Sequence, residues 1–246
     1  MKINCKTFWL PKRGNTAQEY EDAAWPCEAL ETEAVQFKCA IADGATECSF
    51  SDRWAQLLVK GFVEGTEFSV LTQSWHDQIK DLELPWYAQE KAEVGAFSTL
   101  LGLSLIEDEE KRLRFEVSAI GDSCVLHSRN GAMIESYPLS EASQFNNAPR
   151  LVPSLNISPD QFQEMIALHQ GDFQAGDRFF LLTDAIACWT LKRQSTKGDA
   201  LEILNGIAEQ QRFESIVNQA RDEHDEEGRA MMRNDDVTLI SVEVAH

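Results

Sequence analysis

Residues Ser98 to Tyr137 read STLLGLSLIEDEEKRLRFEVSAIGDSCVLHSRNGAMIESY. Four short apolar runs stand in this stretch, over 98–106, 113–120, 124–128 and 133–137, separated by turns such as Arg129-Asn130-Gly131. Connections this short leave no room for the crossover helix that a parallel pair requires. The runs therefore predict an antiparallel meander.

On the amino-terminal side, a strand ends in Phe8-Trp9-Leu10-Pro11, a polar loop covers Lys12 to Gln18, and Ala23–Trp25 and Val35–Ala42 read as two further strands. Ser51-Asp52 caps a helix through Gly61-Phe62, because Trp54, Leu57, Leu58 and Phe62 repeat at helical spacing. A second helical stretch covers about 70–82 and a third begins after Pro85. On the carboxyl side, 144–158 reads as a surface loop and Arg178–Leu182 as a strand. Helices follow near 186–191, 199–207 and 211–227, and a strand over 237–244 closes the chain. Strands, helices, strands, helices and a last strand predict an α+β sandwich of antiparallel sheets, formed as one domain over 1–246.

With Lys+Arg 22 against Asp+Glu 41, the net charge of −19 repels phosphate backbones and anionic lipid, so neither nucleic acid nor membrane is expected as a partner. No apolar run reaches the 18 or so residues of a membrane-spanning helix, and no apolar leader precedes the first strand, so a cytoplasmic chain is expected. Asp222–Glu227 reads as a solvated helix face. The six cysteines include no C-x-x-C pair.

Three apolar strands meet carboxylates at their ends. Ala40-Ile41-Ala42 runs into Asp43-Gly44, Phe179-Phe180-Leu181-Leu182 runs through Thr183 into Asp184, and Val237-Thr238-Leu239-Ile240 follows Asp235-Asp236. Such an aspartate can simply cap the next helix or bond its own backbone. Three of them, with Glu21-Asp22 leading into a fourth strand, point to a shared site. Carboxylates converging in low dielectric repel one another, which either raises their pKa values or requires a cation. An all-oxygen set without histidine or thiolate favours Mg²⁺ or Mn²⁺. Other chemistries lack their residues. Trp54, Asn130 and Gln194 stand six places after Cys48, Cys124 and Cys188, where a cysteine phosphatase has arginine. Gly171–Gly176 is followed by Asp177-Arg178 instead of the P-loop Lys-Ser/Thr. Gly121-Asp122-Ser123 is similar to an esterase nucleophile block, without its partner D-x-x-H near the carboxyl end.

The blocks Glu21-Asp22-Ala23, Ala42-Asp43-Gly44, Phe97-Ser98-Thr99-Leu100, Ala119-Ile120-Gly121-Asp122-Ser123, Leu181-Leu182-Thr183-Asp184 and Asn234-Asp235-Asp236-Val237-Thr238 resemble, in order, those of the PP2C-type metal-dependent serine/threonine phosphatases. The resemblance runs from about Lys12 to Val244. It implies an α-β-β-α sandwich, two antiparallel sheets flanked by helices, with two Mn²⁺ or Mg²⁺ ions in a cleft at one edge. Asp43 would bridge the ions, with the Gly44 carbonyl on one of them. Asp184 and Asp235 would hold the other. Asp22 would act through water with Glu21 behind it, and Asp122 would serve a third, weaker metal position. Asp236 stands where the family has asparagine.

The implied reaction is hydrolysis of a phosphomonoester by a metal-activated water, with no covalent intermediate. Its substrate would be either a phosphorylated serine or threonine of a partner protein, opposed by a cognate serine/threonine kinase, or a small phospho-metabolite. The family's phosphate-binding arginine lies five residues before the position of Asp22, where this chain has Ala17, so Arg13 or Lys12 is the candidate clamp. Ala45-Thr46-Glu47 replaces the usual Gly-Gly, and Ala185 replaces the glycine after Asp184. These departures suggest a divergent bacterial branch. They also keep open a second reading, a PP2C-like regulatory or binding module with little turnover.

Overall fold

Apolar residues on both sides of one strand require cover on both faces, and Arg178–Leu182 shows how the fold supplies it. Phe179 and Leu181 pack between two sheets, whereas Phe180 and Leu182 pack outward under helices. The computed structural model describes residues 1–46, 48–83, 86–146, 148–225 and 227–245. Its strands are β1 (Lys2–Leu10), β2 (Ala23–Trp25), β3 (Leu30–Glu33), β4 (Gln36–Ala42), β5 (Phe97–Ser98), β6 (Leu100–Glu107), β7 (Leu113–Ile120), β8 (Cys124–Arg129), β9 (Ala132–Tyr137), β10 (Val152–Pro153), β11 (Ala167–Asp172), β12 (Arg178–Leu182) and β13 (Val237–Ala245). Its helices are α1 (Ser51–Glu64), α2 (Phe68–Ile79), α3 (Trp86–Val94), α4 (Pro159–Met165), α5 (Asp184–Lys197), α6 (Ala200–Asn205) and α7 (Gln210–Asp222).

One sheet has the order β3-β1-β13-β12-β8-β9 and the other β11-β7-β6-β4-β2, with β10 and β5 as a separate pair; all pairings are antiparallel. Ile41, Leu103, Val117, Leu181, Ile240 and Val242 fill the space between the sheets. Trp189, Leu204, Phe213 and Val217 of α5, α6 and α7 cover one outer face. Trp54, Leu58, Trp75 and Phe162 of α1, α2 and α4 cover the other. This is the expected α-β-β-α sandwich. No helix among the described residues is long and apolar enough to cross a membrane.

Several local expectations change. The run over 98–106 is two strands, broken at Thr99. β3, β10, β11 and α4 lie where the sequence patterns predict no element. Ser51 does not cap α1: Phe50 holds the N-cap position in a left-handed conformation, and the Ser51 hydroxyl donates to Glu21 Oε1 at 2.9 Å. The acidic run is not a helix face. α7 stops at Asp222, and Asp225 Oδ1 accepts the backbone N–H groups of Glu227 (3.0 Å) and Arg229 (2.9 Å) in a turn. Glu47, Pro85 and Glu226, named in the sequence patterns, lie outside the described residues.

Candidate active site

Strand register gathers the acids at one end of the sandwich. In one sheet Ala23 pairs with Ala42, Ile41 with Leu101, and Leu100 with Ile120. The residues just beyond these strand ends, Glu21-Asp22, Asp43 and Asp122, therefore share an edge. In the other sheet Leu182 pairs with both Cys124 and Leu239, which sets Asp184 and Asp235-Asp236 at the corresponding edge. The turn at 121–123 joins the two edges, so one rim carries all of them.

Three hydrogen bonds, two of them to side-chain hydroxyls, fix the Asp43 backbone. Its N–H donates to Thr99 Oγ1 (2.9 Å), and its carbonyl accepts from the Thr99 N–H (2.9 Å) and the Ser98 hydroxyl (2.9 Å). Thr99 Oγ1 lies 3.1 Å from Ser123 Oγ, which ties this segment to the Asp122 turn. Ser123 is 2% exposed and its hydroxyl is engaged by Thr99, an arrangement unsuited to an esterase nucleophile. Glycine is required at two places here. A Cβ on Gly44 would stand 2.5 Å from the Glu21 carbonyl oxygen, and Gly121, at φ +105°, would drive one 2.5 Å from Thr99 Cγ2.

Asp236 joins the amino-terminal loop to β13. Its Oδ1 accepts the Lys12 N–H at 2.8 Å and its Oδ2 accepts the Glu21 N–H at 2.7 Å. Two backbone donors suit a carboxylate, which accepts on both oxygens, better than an amide, which accepts on one. Asp22, 3% exposed, receives the Thr238 hydroxyl on Oδ2 at 2.6 Å. Because the Thr238 proton points to that carboxylate, the Tyr20 hydroxyl donates to Thr238 Oγ1. Arg221, buried behind the rim, donates to the Asp235 carbonyl at 2.6 Å.

The remaining oxygens are poorly satisfied. Asp22 Oδ1 and Asp122 Oδ1 are buried with no hydrogen-bond partner among the described residues. Burial, then the charges of Asp236 and Asp235, push the Asp22 carboxyl up to about 8 against the Thr238 hydrogen bond. Burial also pushes Asp43 well up, joined by the charges of Asp22, Asp235 and Asp122; Arg233 opposes them. Asp122 and Glu21 rise as well, chiefly through burial. Asp43 therefore feels acids from three other stretches of chain.

Among the described residues no three His, Cys, Asp or Glu side chains form a ready-made metal cage. The counter-charge in place is Arg233, whose Nη2 bonds Asp184 Oδ2 and lies 3.5 Å from Asp235 Oδ2. The donor set nevertheless fits a hard divalent ion: it is all oxygen, two of its buried oxygens lack partners, and its members repel one another. Arg13 is at the rim through its backbone, donating its N–H to Asn234 Oδ1 (2.7 Å) and accepting Asn234 Nδ2 (3.1 Å). Its guanidinium is exposed and paired with Asp222 at 2.7 Å, not with the cluster. Sequence patterns missed Arg233 and the Tyr20 end of the Tyr20–Thr238–Asp22 chain; Asp22 and Thr238 were signalled, each within its block.

The fold is that of the PP2C-type serine/threonine phosphatases. Particular solved structures match over nearly the full length of both chains. The photosystem II phosphatase PBCP has a TM-score of 0.61 at 13% identity, covering 98% of each chain. The Mycobacterium tuberculosis serine/threonine phosphatase PstP/Ppp has 0.59 at 14%, covering 100% of each. The catalytic domain of PstP in complex with two manganese ions has 0.50 at 14%, covering 99% of this chain and 100% of that one. No family model matches the chain, and no curated protein matches it in sequence.

Proposed function

We propose that this chain is a metal-dependent phosphomonoesterase, acting on phosphorylated serine or threonine of a partner protein as a single catalytic domain over 1–246. The observation that carries this reading is the rim itself, where acids from five segments converge in a PP2C-type fold and leave buried carboxylate oxygens without partners. Asp43, the Gly44 carbonyl, Asp184 and Asp235 would hold two Mn²⁺ or Mg²⁺ ions, and Asp122 a third position. Bound there, the ions would lower the pKa of a water and offset the charge of the phosphate oxygens.

The chain's own groups set the geometry. Thr99 and Ser98 hold the Asp43 backbone. Asp236 holds Glu21 and Lys12 in place. Thr238 orients Asp22. Arg13 is the proposed phosphate-recruiting residue: an exposed ion pair contributes little to stability, so its guanidinium can leave Asp222 for an arriving phosphate. Arg13→Ala should raise KM for p-nitrophenyl phosphate about 10-fold, the effect of one charge-assisted hydrogen bond, with kcat nearly unchanged. A fall confined to kcat would remove Arg13 from that role. A cognate kinase and a cytoplasmic setting belong to the same proposal.

One observation favours the second reading, a regulatory or binding module: the Asp184 carboxylate already carries a cation, Arg233. The deciding experiment is hydrolysis of p-nitrophenyl phosphate by the purified chain with Mn²⁺ and with EDTA. Turnover with Mn²⁺ that EDTA abolishes is expected. Tight Mn²⁺ or Mg²⁺ binding with no turnover would establish the binding module instead.

A further inference from the structure

Arg233 lies in the loop between α7 and β13, and that loop is anchored on both sides of it. The Met232 N–H donates to the Ala220 carbonyl at 3.1 Å, and Asn234 is bonded in both directions to the Arg13 backbone. The backbone is fixed, so any rearrangement of the guanidinium belongs to its side chain. That side chain is 48% exposed, while the Asp184 carboxylate it bonds is 9% exposed. It approaches from the solvent side, along a cleft of about 180 Å³ that Phe145, Asp184, Cys188 and Met231 also line. One guanidinium thus serves two carboxylates, Asp184 and Asp235, from different segments.

We propose that Arg233 is a displaceable internal counter-ion: it holds the Asp184–Asp235 position in the metal-free protein, and a divalent ion must evict it, so this residue sets the affinity of that position for metal. The inference rests on the proposed metal-dependent reading of the rim. A single positive charge cannot balance the cluster, as the partnerless oxygens of Asp22 and Asp122 show, whereas a dication supplies twice the charge. The exchange is therefore favourable but opposed, and the apparent affinity falls by the fraction of sites in which Arg233 is bound. Asp43 and its neighbours, which Arg233 does not bond, would load at lower metal concentration than the Asp184–Asp235 position.

The test is calorimetric titration of Mn²⁺ into EDTA-stripped and dialysed wild type, Arg233→Gln and Arg233→Lys, with Tm measured for each before and after loading. Arg233→Gln should tighten the weaker Mn²⁺ site about 10-fold, about 1.4 kcal/mol. It should also lower the Tm of the stripped protein while leaving the saturated protein unchanged. Arg233→Lys, which keeps the charge and loses the fork, should fall between. Equal Mn²⁺ affinities in wild type and Arg233→Gln would overturn the counter-ion role and leave the metal reading standing. Absence of Mn²⁺ binding in all three proteins would overturn the metal reading, and this inference with it.

Discussion

Asp43→Asn should abolish Mn²⁺-dependent hydrolysis and raise the Tm of the EDTA-stripped protein. The two effects share one cause. Asp43 is surrounded by the charges of Asp22, Asp235 and Asp122, and burial adds to the cost of ionising it. Without metal, its negative charge opposes folding; with metal, the same charge would help to hold the ions. Loss of about 4 kcal/mol of transition-state stabilisation corresponds to a rate drop of about 10³-fold. Each kcal/mol of repulsion removed should raise Tm by about 2–4 °C in a chain of this size. Activity assays and thermal melts on the same preparation check both. Retained Mn²⁺-dependent turnover refutes the ligand assignment, and a lowered stripped Tm refutes the account of the cluster as mutually repelling.

The stripped protein should also lose stability as pH rises, the reverse of what salt-bridged carboxylates give. An unfolded aspartate titrates near 3.9, whereas the folded Asp22 carboxyl is pushed up to about 8. Between those values the folded state binds more protons than the unfolded one. Stability is therefore highest toward pH 4 and falls by a few kcal/mol toward pH 8. Carboxylates must lose their protons to bind metal, so Mn²⁺ affinity should climb over the same window. Melts at pH 5 and pH 8, in EDTA and in Mn²⁺, measure this, and Asp22→Asn should flatten the slope in EDTA. A stripped protein more stable at pH 8 than at pH 5 contradicts the burial argument.

The layers of the fold were legible because their strands are apolar runs with turns between them. What escaped was polar and at the margins. β3 (Leu30–Glu33) and β11 (Ala167–Asp172) lie at sheet edges with few buried side chains, so their sequences carry no burial pattern to read. The end of α7 escaped because Asp222–Glu227 has the composition of a helix surface, while the Asp225 carboxylate captures backbone N–H groups and turns the chain. At the site, acids at strand ends could be found one strand at a time. Arg233 could not, since its partner Asp184 is in a different segment and only tertiary packing joins them. Asp236 stood out as a departure from the asparagine of the resemblance; its two backbone contacts, to Lys12 and Glu21, give the physical reason for a carboxylate there.

The antiparallel pairing of β1 with β13 sets Lys2 opposite Ala245, and β13 lies inside its sheet, between β1 and β12. During synthesis, then, Asp22, Asp43, Asp122 and Asp184 all leave the ribosome before the strand that wedges between their supports. Without β13 the strands β1 and β12 have no shared neighbour, and the rim lacks Asp235 and Asp236. The chemistry proposed for this protein therefore requires β13 to be threaded into the middle of its sheet.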